Sequence, residues 1–154
     1  MKWWVVYLVT EEKILQAVQK QVKSCIPEAE HYKYKLSEGF RTPAFLYLPT
    51  FHKEKRINPF LRGITLEMQV ICFCKQDKSG NLDFYNVSET KNKLEPFLSA
   101  FLLDIEDRVL HFSHEWKTID GQPSFFLSVY YTETVTREKE KAEMTEEVFY
   151  RQKG

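Results

Sequence analysis

Glu38-Gly39-Phe40-Arg41-Thr42-Pro43-Ala44-Phe45-Leu46-Tyr47-Leu48 sets a glycine and a proline around a corner and places a dense apolar run directly behind it. Glycine tolerates positive φ, while proline fixes its own φ and pushes Thr42 towards an extended conformation. The aromatic and aliphatic run reads as a buried strand over residues 44–51. Upstream, His31-Tyr32-Lys33-Tyr34-Lys35-Leu36 alternates as a strand does, and the short connection through the corner suggests antiparallel neighbours. The corner itself offers turn chemistry and no reactive group.

Working outward towards the N-terminus, Thr10 can cap a helix, Glu11 and Glu12 suit its first turn, and Ile14, Leu15, Val18, Val22 and Cys25 fall on one stripe. Pro27 ends it. Residues 3–9 are apolar throughout, so periodicity does not separate a strand from a helical turn. Trp3 and Trp4 read either as a contact with a partner subunit or as a terminal strand covering an edge. One basic residue, a short apolar run and no small-residue cleavage site argue against a signal peptide, and the stretch is too short to cross a bilayer.

Towards the C-terminus, His52-Lys53-Glu54-Lys55-Arg56-Ile57-Asn58-Pro59 reads as a proline-terminated loop. With Arg62 it collects Lys53, Lys55 and Arg56 against the single acid Glu54. Ile64, Leu66, Met68, Val70 and Cys72 then alternate with Thr65, Glu67, Gln69, Ile71 and Phe73, the signature of a long half-buried strand. A second helix is expected from about residue 86 or 88 to 101, kinked or restarted at Pro96. Residues 105–113 and 114–119 favour strands, and the Asp120-Gly121-Gln122-Pro123 turn predicts a hairpin into a strand over 125–132. Residues 137–154 change character, with five basic and five acidic residues. They read as a charged extension, with Phe149 one of few apolar positions.

The 154 residues fit one domain, and 22 Lys plus Arg balance 22 Asp plus Glu. Bulk charge therefore makes no case for nucleic acid or an anionic membrane as the main partner. Three cysteines do not make a disulfide framework, so a reducing, cytosolic compartment is the simpler expectation. The four histidines lack metal-ligand spacing, and the Cys72-x-Cys74 pair has no complementary second pair. The five glycines are scattered, so no phosphate cradle forms locally, and no nucleophile motif is present. Asp104, Glu106, Asp107 and Glu115 read as solvated turn and strand residues rather than paired catalytic carboxylates. What remains is a chain suited to contact.

The order of elements resembles a known family: an N-terminal amphipathic helix, the Ser37-Glu38-Gly39-Phe40-Arg41-Thr42-Pro43 corner, a strand with Met68-Gln69-Val70-Ile71-Cys72-Phe73, a helix, and the Asp120-Gly121 hairpin into Phe125-Phe126-Leu127-Ser128-Val129-Tyr130-Tyr131. It is similar to the small tail-terminator or tail-completion proteins of bacteriophages and phage-tail-like particles, whose members often carry a Glu-x-Gly-Phe-x-x-Pro type of corner. The resemblance spans approximately residues 10–135. It implies an α+β domain over residues 1–136, with about five mostly antiparallel strands, two packed helices and an apolar N-terminal extension over 1–9. Residues 137–154 would form a charged C-terminal extension.

The resemblance further implies a structural virion protein, without enzymatic activity, cofactor or metal. Such a protein forms a six-membered ring that caps the tail tube, stops its polymerisation and joins the tail to the neck or head connector. The implied partners are further copies of the chain, the tube protein, possibly the sheath, and the neck or connector protein, with no membrane and no sequence-specific nucleic acid. The implied location is the virion tail, assembled in the bacterial host cytoplasm. Another head–tail joining or minor tail component is the alternative within this class, and a small-ligand-binding α+β domain is the alternative outside it. Gly39, Phe40 and Pro43 are expected to be a structural corner. Trp3, Trp4, Lys53, Lys55, Arg56, Arg62, Asp104, Glu106, Asp107 and Phe149 are the candidate interface residues, the basic and acidic groups supplying two different patches of a head-to-tail contact.

Overall fold

The computed structural model describes residues 9–134. Thr10 caps α1 (Glu11–Cys25) by accepting the Lys13 amide at 3.2 Å, and Ile14, Leu15, Val18 and Val22 form its buried stripe. The chain continues through β1 (Glu30–Lys33), β2 (Ala44–Asn58), β3 (Leu61–Phe73), α2 (Phe84–Ala100), β4 (Leu102–Ile105), β5 (Arg108–Ile119) and β6 (Gln122–Thr134). One six-stranded sheet results, in the order β1-β2-β3-β6-β5-β4. Its pairings are antiparallel except for β1 with β2. The fold is α+β, with one more strand than the sequence suggested.

The core lies between the sheet and both helices. Register puts Phe45 and Tyr47 of β2, Leu66, Met68, Val70 and Cys72 of β3, and Phe125, Leu127 and Val129 of β6 on a common face. These side chains join the α1 stripe and Leu94, Phe97 and Leu98 of α2 in one buried cluster. Phe97 meets Phe112 of β5 with ring centroids 5.1 Å apart. The β5–β6 hairpin closes through Asp120 and Gly121, both at positive φ (51° and 77°), with Ile119 opposite Gln122. Two left-handed residues match the strand twist, which is why Asp-Gly was legible there.

Four expectations are corrected. First, β1 runs parallel to β2. Tyr34 (φ 69°) and Gly39 (φ 69°) turn residues 34–43 back on themselves, and Phe40 packs edge-on against Tyr32 and Phe73 on the face away from the helices. The chain therefore re-enters the sheet in its original direction. Second, residues 52–58 are the outer half of β2 and not a loop: each of His52 to Arg56 has a partner on β3. Their charge reflects an exposed edge strand, where lysine and arginine are compatible with β structure.

Third, no fresh helix starts at Pro96: α2 is one helix that contains it, with Pro96 on the exposed side, so the carbonyl it leaves unpaired faces water. Fourth, the strand expected from residue 105 begins at Leu102 and reverses at Glu106 (φ 55°) and Asp107, after which Arg108 to Ile119 form one strand instead of two.

Candidate interaction surface

The four residues Ala44 to Tyr47 of β2 are buried, whereas Thr50 to Asn58 are exposed. A bulge between Pro49 and Phe51 inserts Thr50 and restarts the alternation. Beyond it β2, the first residues of β3 and the last of β6 form a three-stranded arm, with Asn58 opposite Leu61 and Leu61 opposite Thr134. At its tip the Phe60 amide donates to Asn58 Oδ1 at 2.8 Å, and Arg56 Nη1 donates to the Pro59 carbonyl at 3.1 Å. The Phe60 side chain is left 65% exposed.

The helix-side face of the arm carries charges where the core face of the sheet carries hydrophobes. Arg62 lies in the phase of Ile64 and Leu66, and Glu133 in the phase of Val129 and Tyr131, directly opposite Arg62. Arg62 donates to Glu133 at 2.8 Å and to Glu54 at 3.3 Å. Burial works against the guanidinium charge, but its hydrogen bond to Glu133 and the charges of Glu54 and Glu133 more than offset it and hold its pKa above the ordinary value. His52 lies 3.3 Å from Glu54 and 3.6 Å from Glu11 of α1.

Glu133, only 6% exposed, also accepts the Val9 amide at 2.8 Å, while the Tyr131 hydroxyl donates to the Val9 carbonyl at 3.0 Å. Burial, with the Glu133 charge beside it, pushes the Tyr131 phenol up to about 12, so it stays a donor at any physiological pH. Both backbone groups of Val9 are thereby fixed by two side chains of β6. Residues 1–8 and 135–154 consequently join the described fold at adjacent points.

The opposite face of the arm presents Phe51, Lys53, Lys55 and Ile57 of β2 beside Tyr130 of β6. Gly63 lets the Tyr130 ring lie across β3: a Cβ there would come 2.8 Å from the Tyr130 hydroxyl and 3.4 Å from Ile57. Phe51, Ile57 and Tyr130 are 45%, 50% and 60% exposed, an apolar rim around two lysine stems.

Lys53, Lys55 and Arg56 are thus on exposed β2, and Arg62 is on β3 within ion pairs of the same protomer. Asp104 lies exposed on β4 at the far edge of the sheet; Glu106 and Asp107 form the following turn, and Glu106 pairs with Lys13 of α1 at 2.8 Å. Gly39, Phe40 and Pro43 form the corner, where Glu30 Oε2 accepts the Arg41 amide at 3.2 Å and the Tyr32 hydroxyl, both of which hold its carboxyl below the ordinary value. Trp3, Trp4 and Phe149 lie outside the described residues. The residues missed from sequence, Glu54 and Glu133, had a legible signal in Glu133: a glutamate in the core phase of a strand, matched by an arginine in the core phase of its neighbour.

Among the described residues, no group of three or more His, Cys, Asp or Glu could hold a metal ion, and no helix is long and apolar enough to cross a membrane. Burial pushes the Cys72 and Cys74 thiols up, as for core cysteines, and neither is in a disulfide. A shallow depression lined by Ile26, Glu28, Pro43, Lys75, Glu89 and Lys93 is occupied by the pairing of Lys93 with Glu28 and Glu89.

Comparison with protein families gives one match: residues 13–143 match the model of the phage tail terminator proteins. The chain belongs to the phage tail terminator family. The match includes all but the first two residues of α1, the corner, the arm and α2, and continues past residue 136. A phage tail terminator is a structural virion component that works through other tail proteins. A search of curated proteins finds no match.

Proposed function

We propose that the protein caps the end of a phage tail tube as a ring of identical subunits, stops tube polymerisation and joins the tail to the neck or head connector. Family membership over residues 13–143 carries this reading. The three-stranded arm supports it, because an exposed, charged and aromatic projection is an expense for a solitary subunit and an asset for one packed in a ring. Lys53, Lys55 and Arg56 on the arm and Asp104 and Asp107 at the opposite edge of the sheet give each subunit two unlike patches, as head-to-tail closure requires. The same reading makes the ring six-membered and non-catalytic, with its partners the tube protein, a sheath where the tail has one, and the connector, assembled in the host cytoplasm.

Tails assembled with and without the protein test the function. Electron micrographs should show tubes of uniform length ending in a ring when it is present, and overlong, uncapped tubes when it is withheld. Uniform lengths in both samples would sink the proposal. Charge reversal at Lys55 and Arg56 should lower the ring yield several-fold at ~50 mM salt and less at ~500 mM, because screening shortens the reach of exposed charges.

A further inference from the structure

Two patches of opposite charge lie on the face of the sheet turned away from the helices, far apart in the strand order. On the arm, Lys53 and Lys55 of β2 stand between Phe51 and Ile57, beside Tyr130 of β6. Neither lysine has an ion-pair partner among the described residues. Glu54 lies on the other face, where it holds Arg62, and Glu67, opposite Phe51, pairs with neither lysine. Two exposed ammonium groups are thus framed by apolar side chains.

At the last strand of the sheet, register sets Leu102 opposite His111 and Asp104 opposite Val109, so these four share a face, while Leu103, Ile105 and Leu110 fill the core on the other. Leu102 and Val109 are exposed, and Asp107 stands in the adjoining turn. The neighbouring charges are engaged elsewhere: Glu106 pairs with Lys13 of α1, and Arg108 donates to the Thr132 carbonyl and lies over the Tyr131 ring. Asp104 and Asp107 have no such partner among the described residues. Three strands, β3, β6 and β5, separate the two patches, about 19 Å along the sheet at the usual strand spacing. Strand pairing fixes that separation, so the patches of one subunit do not meet each other. Pairing either patch with its own copy across a two-fold axis would bring like charges together, whereas arm against last strand brings opposite ones together.

We propose that this face of the arm of one copy docks on the β4–β5 edge of a second copy, with Lys53 and Lys55 against Asp104 and Asp107, and Phe51, Ile57 and Tyr130 against Leu102 and Val109. The contact is heterologous: each subunit gives its arm to one neighbour and its last strand to another. Opposite charge sets the partner and the direction, and the apolar side chains supply the burial. The proposal rests on the ring reading for its setting and names the two surfaces at which neighbouring subunits meet.

The test uses two variants of the full chain, Lys53→Glu with Lys55→Glu and Asp104→Lys with Asp107→Lys, and follows self-association by sedimentation velocity. Each variant alone sets like charges against each other and should associate at least about tenfold more weakly than the parent at ~50 mM salt. In an equimolar mixture the acidic arm of the first meets the basic edge of the second, and association should return to within about threefold of the parent. Lys20→Glu with Lys78→Glu changes the net charge as much as the arm variant does but touches neither patch, and should associate as the parent does. A parent that stays monomeric up to ~0.5 mM, charge variants that associate like the parent, a mixture no stronger than its components, or an equal loss in the Lys20 and Lys78 variant would each overturn the proposal. Tubes capped at uniform length by each charge variant alone would keep the ring reading and sink this contact. Restored association in the mixture, with overlong tubes in the presence of the parent, would do the reverse.

Discussion

The two halves of β2 have opposite fates within one continuous strand. From Ala44 to Tyr47 every side chain is buried, with Phe45 and Tyr47 on the helix-side face and Ala44 and Leu46 beneath the Phe40 corner. From Thr50 onward every residue is exposed, although the pairing to β3 continues to Asn58. Pairing with β3 is thus common to both halves; the first half also pairs with β1 and is covered on both faces of the sheet. Burial stabilises the first half, whereas pairing with β3, the Glu54–Arg62–Glu133 ion pairs and the clamp on Val9 support the second. The base of the sheet folds the subunit, and the arm is left available for contact.

The sharpest way to break this contrast is to remove one large side chain from each region. Phe125 is fully buried against Trp116 and the core face, and Phe125→Ala should cost about 3–5 kcal/mol in chemical denaturation. Phe60→Ala at the tip of the arm should stay within about 0.5 kcal/mol. A large loss at Phe60 would mean that the arm is part of the cooperative core.

Next in size is Glu133→Ala. It strips Arg62 of its better partner and frees the Val9 amide, and should cost about 2 kcal/mol, moderated because Arg62 can recover some water. The partner variant Arg62→Ala supplies the check: the double variant should lose clearly less than the sum of the two singles. Additive losses would show that the arm does not depend on this pair.

The base was legible in the sequence and the arm was not, for physical reasons. Helix capping at Thr10, the α1 stripe, the alternation of β3 and the Asp120-Gly121 turn each express a local preference that agrees with the final fold. Residues 52–58 lack such agreement: no apolar face marks them as a strand, because neither face is buried. The parallel direction of β1 was equally hidden: Gly39 marks one of the two positive-φ positions of the loop, but the other is Tyr34, which no turn preference announces, and Phe40 packs on Tyr32 and Phe73 across the sheet. Of the candidate interface residues, Lys53, Lys55 and Arg56 were read in a loop and lie on the exposed outer half of β2, whereas the pairing of Arg62 required knowing that β6 follows β3 in register.

The corner offers an intermediate effect. Gly39 has φ +69° and nothing within 4 Å of an added Cβ, so a side chain meets open space and the whole cost is backbone strain. Gly39→Val should lose about 1–2 kcal/mol, more than Gly39→Asn, because a β-branched residue resists the left-handed region that asparagine tolerates. Arg41→Ala should stay within about 0.5 kcal/mol, since Glu30 holds the backbone amide of Arg41 and not its side chain. Equal losses at Gly39→Val and Gly39→Asn would place the cost in lost contacts instead of in φ.

The smallest effect is a change of slope, and it asks whether the buried half of the sheet excludes charge. His31 stacks on Phe45 and lies 2.9 Å from the Tyr47 hydroxyl, whose pKa burial raises so far that it remains protonated. Burial, reinforced by the nearby Lys23 charge, lowers the His31 pKa, so the neutral ring is the folded form. The unfolded chain then binds more protons near pH 6. Stability from this group is complete above the ordinary histidine value of about 6.5 and is lost as pH falls through it towards the folded value, with a limiting slope of about 1.4 kcal/mol per pH unit for one proton. His31→Gln keeps an acceptor for Tyr47 and removes the titration. Denaturation between pH 7.5 and 5 should therefore give a flatter profile in this variant than in the parent; identical slopes would show that the base of the sheet tolerates an imidazolium.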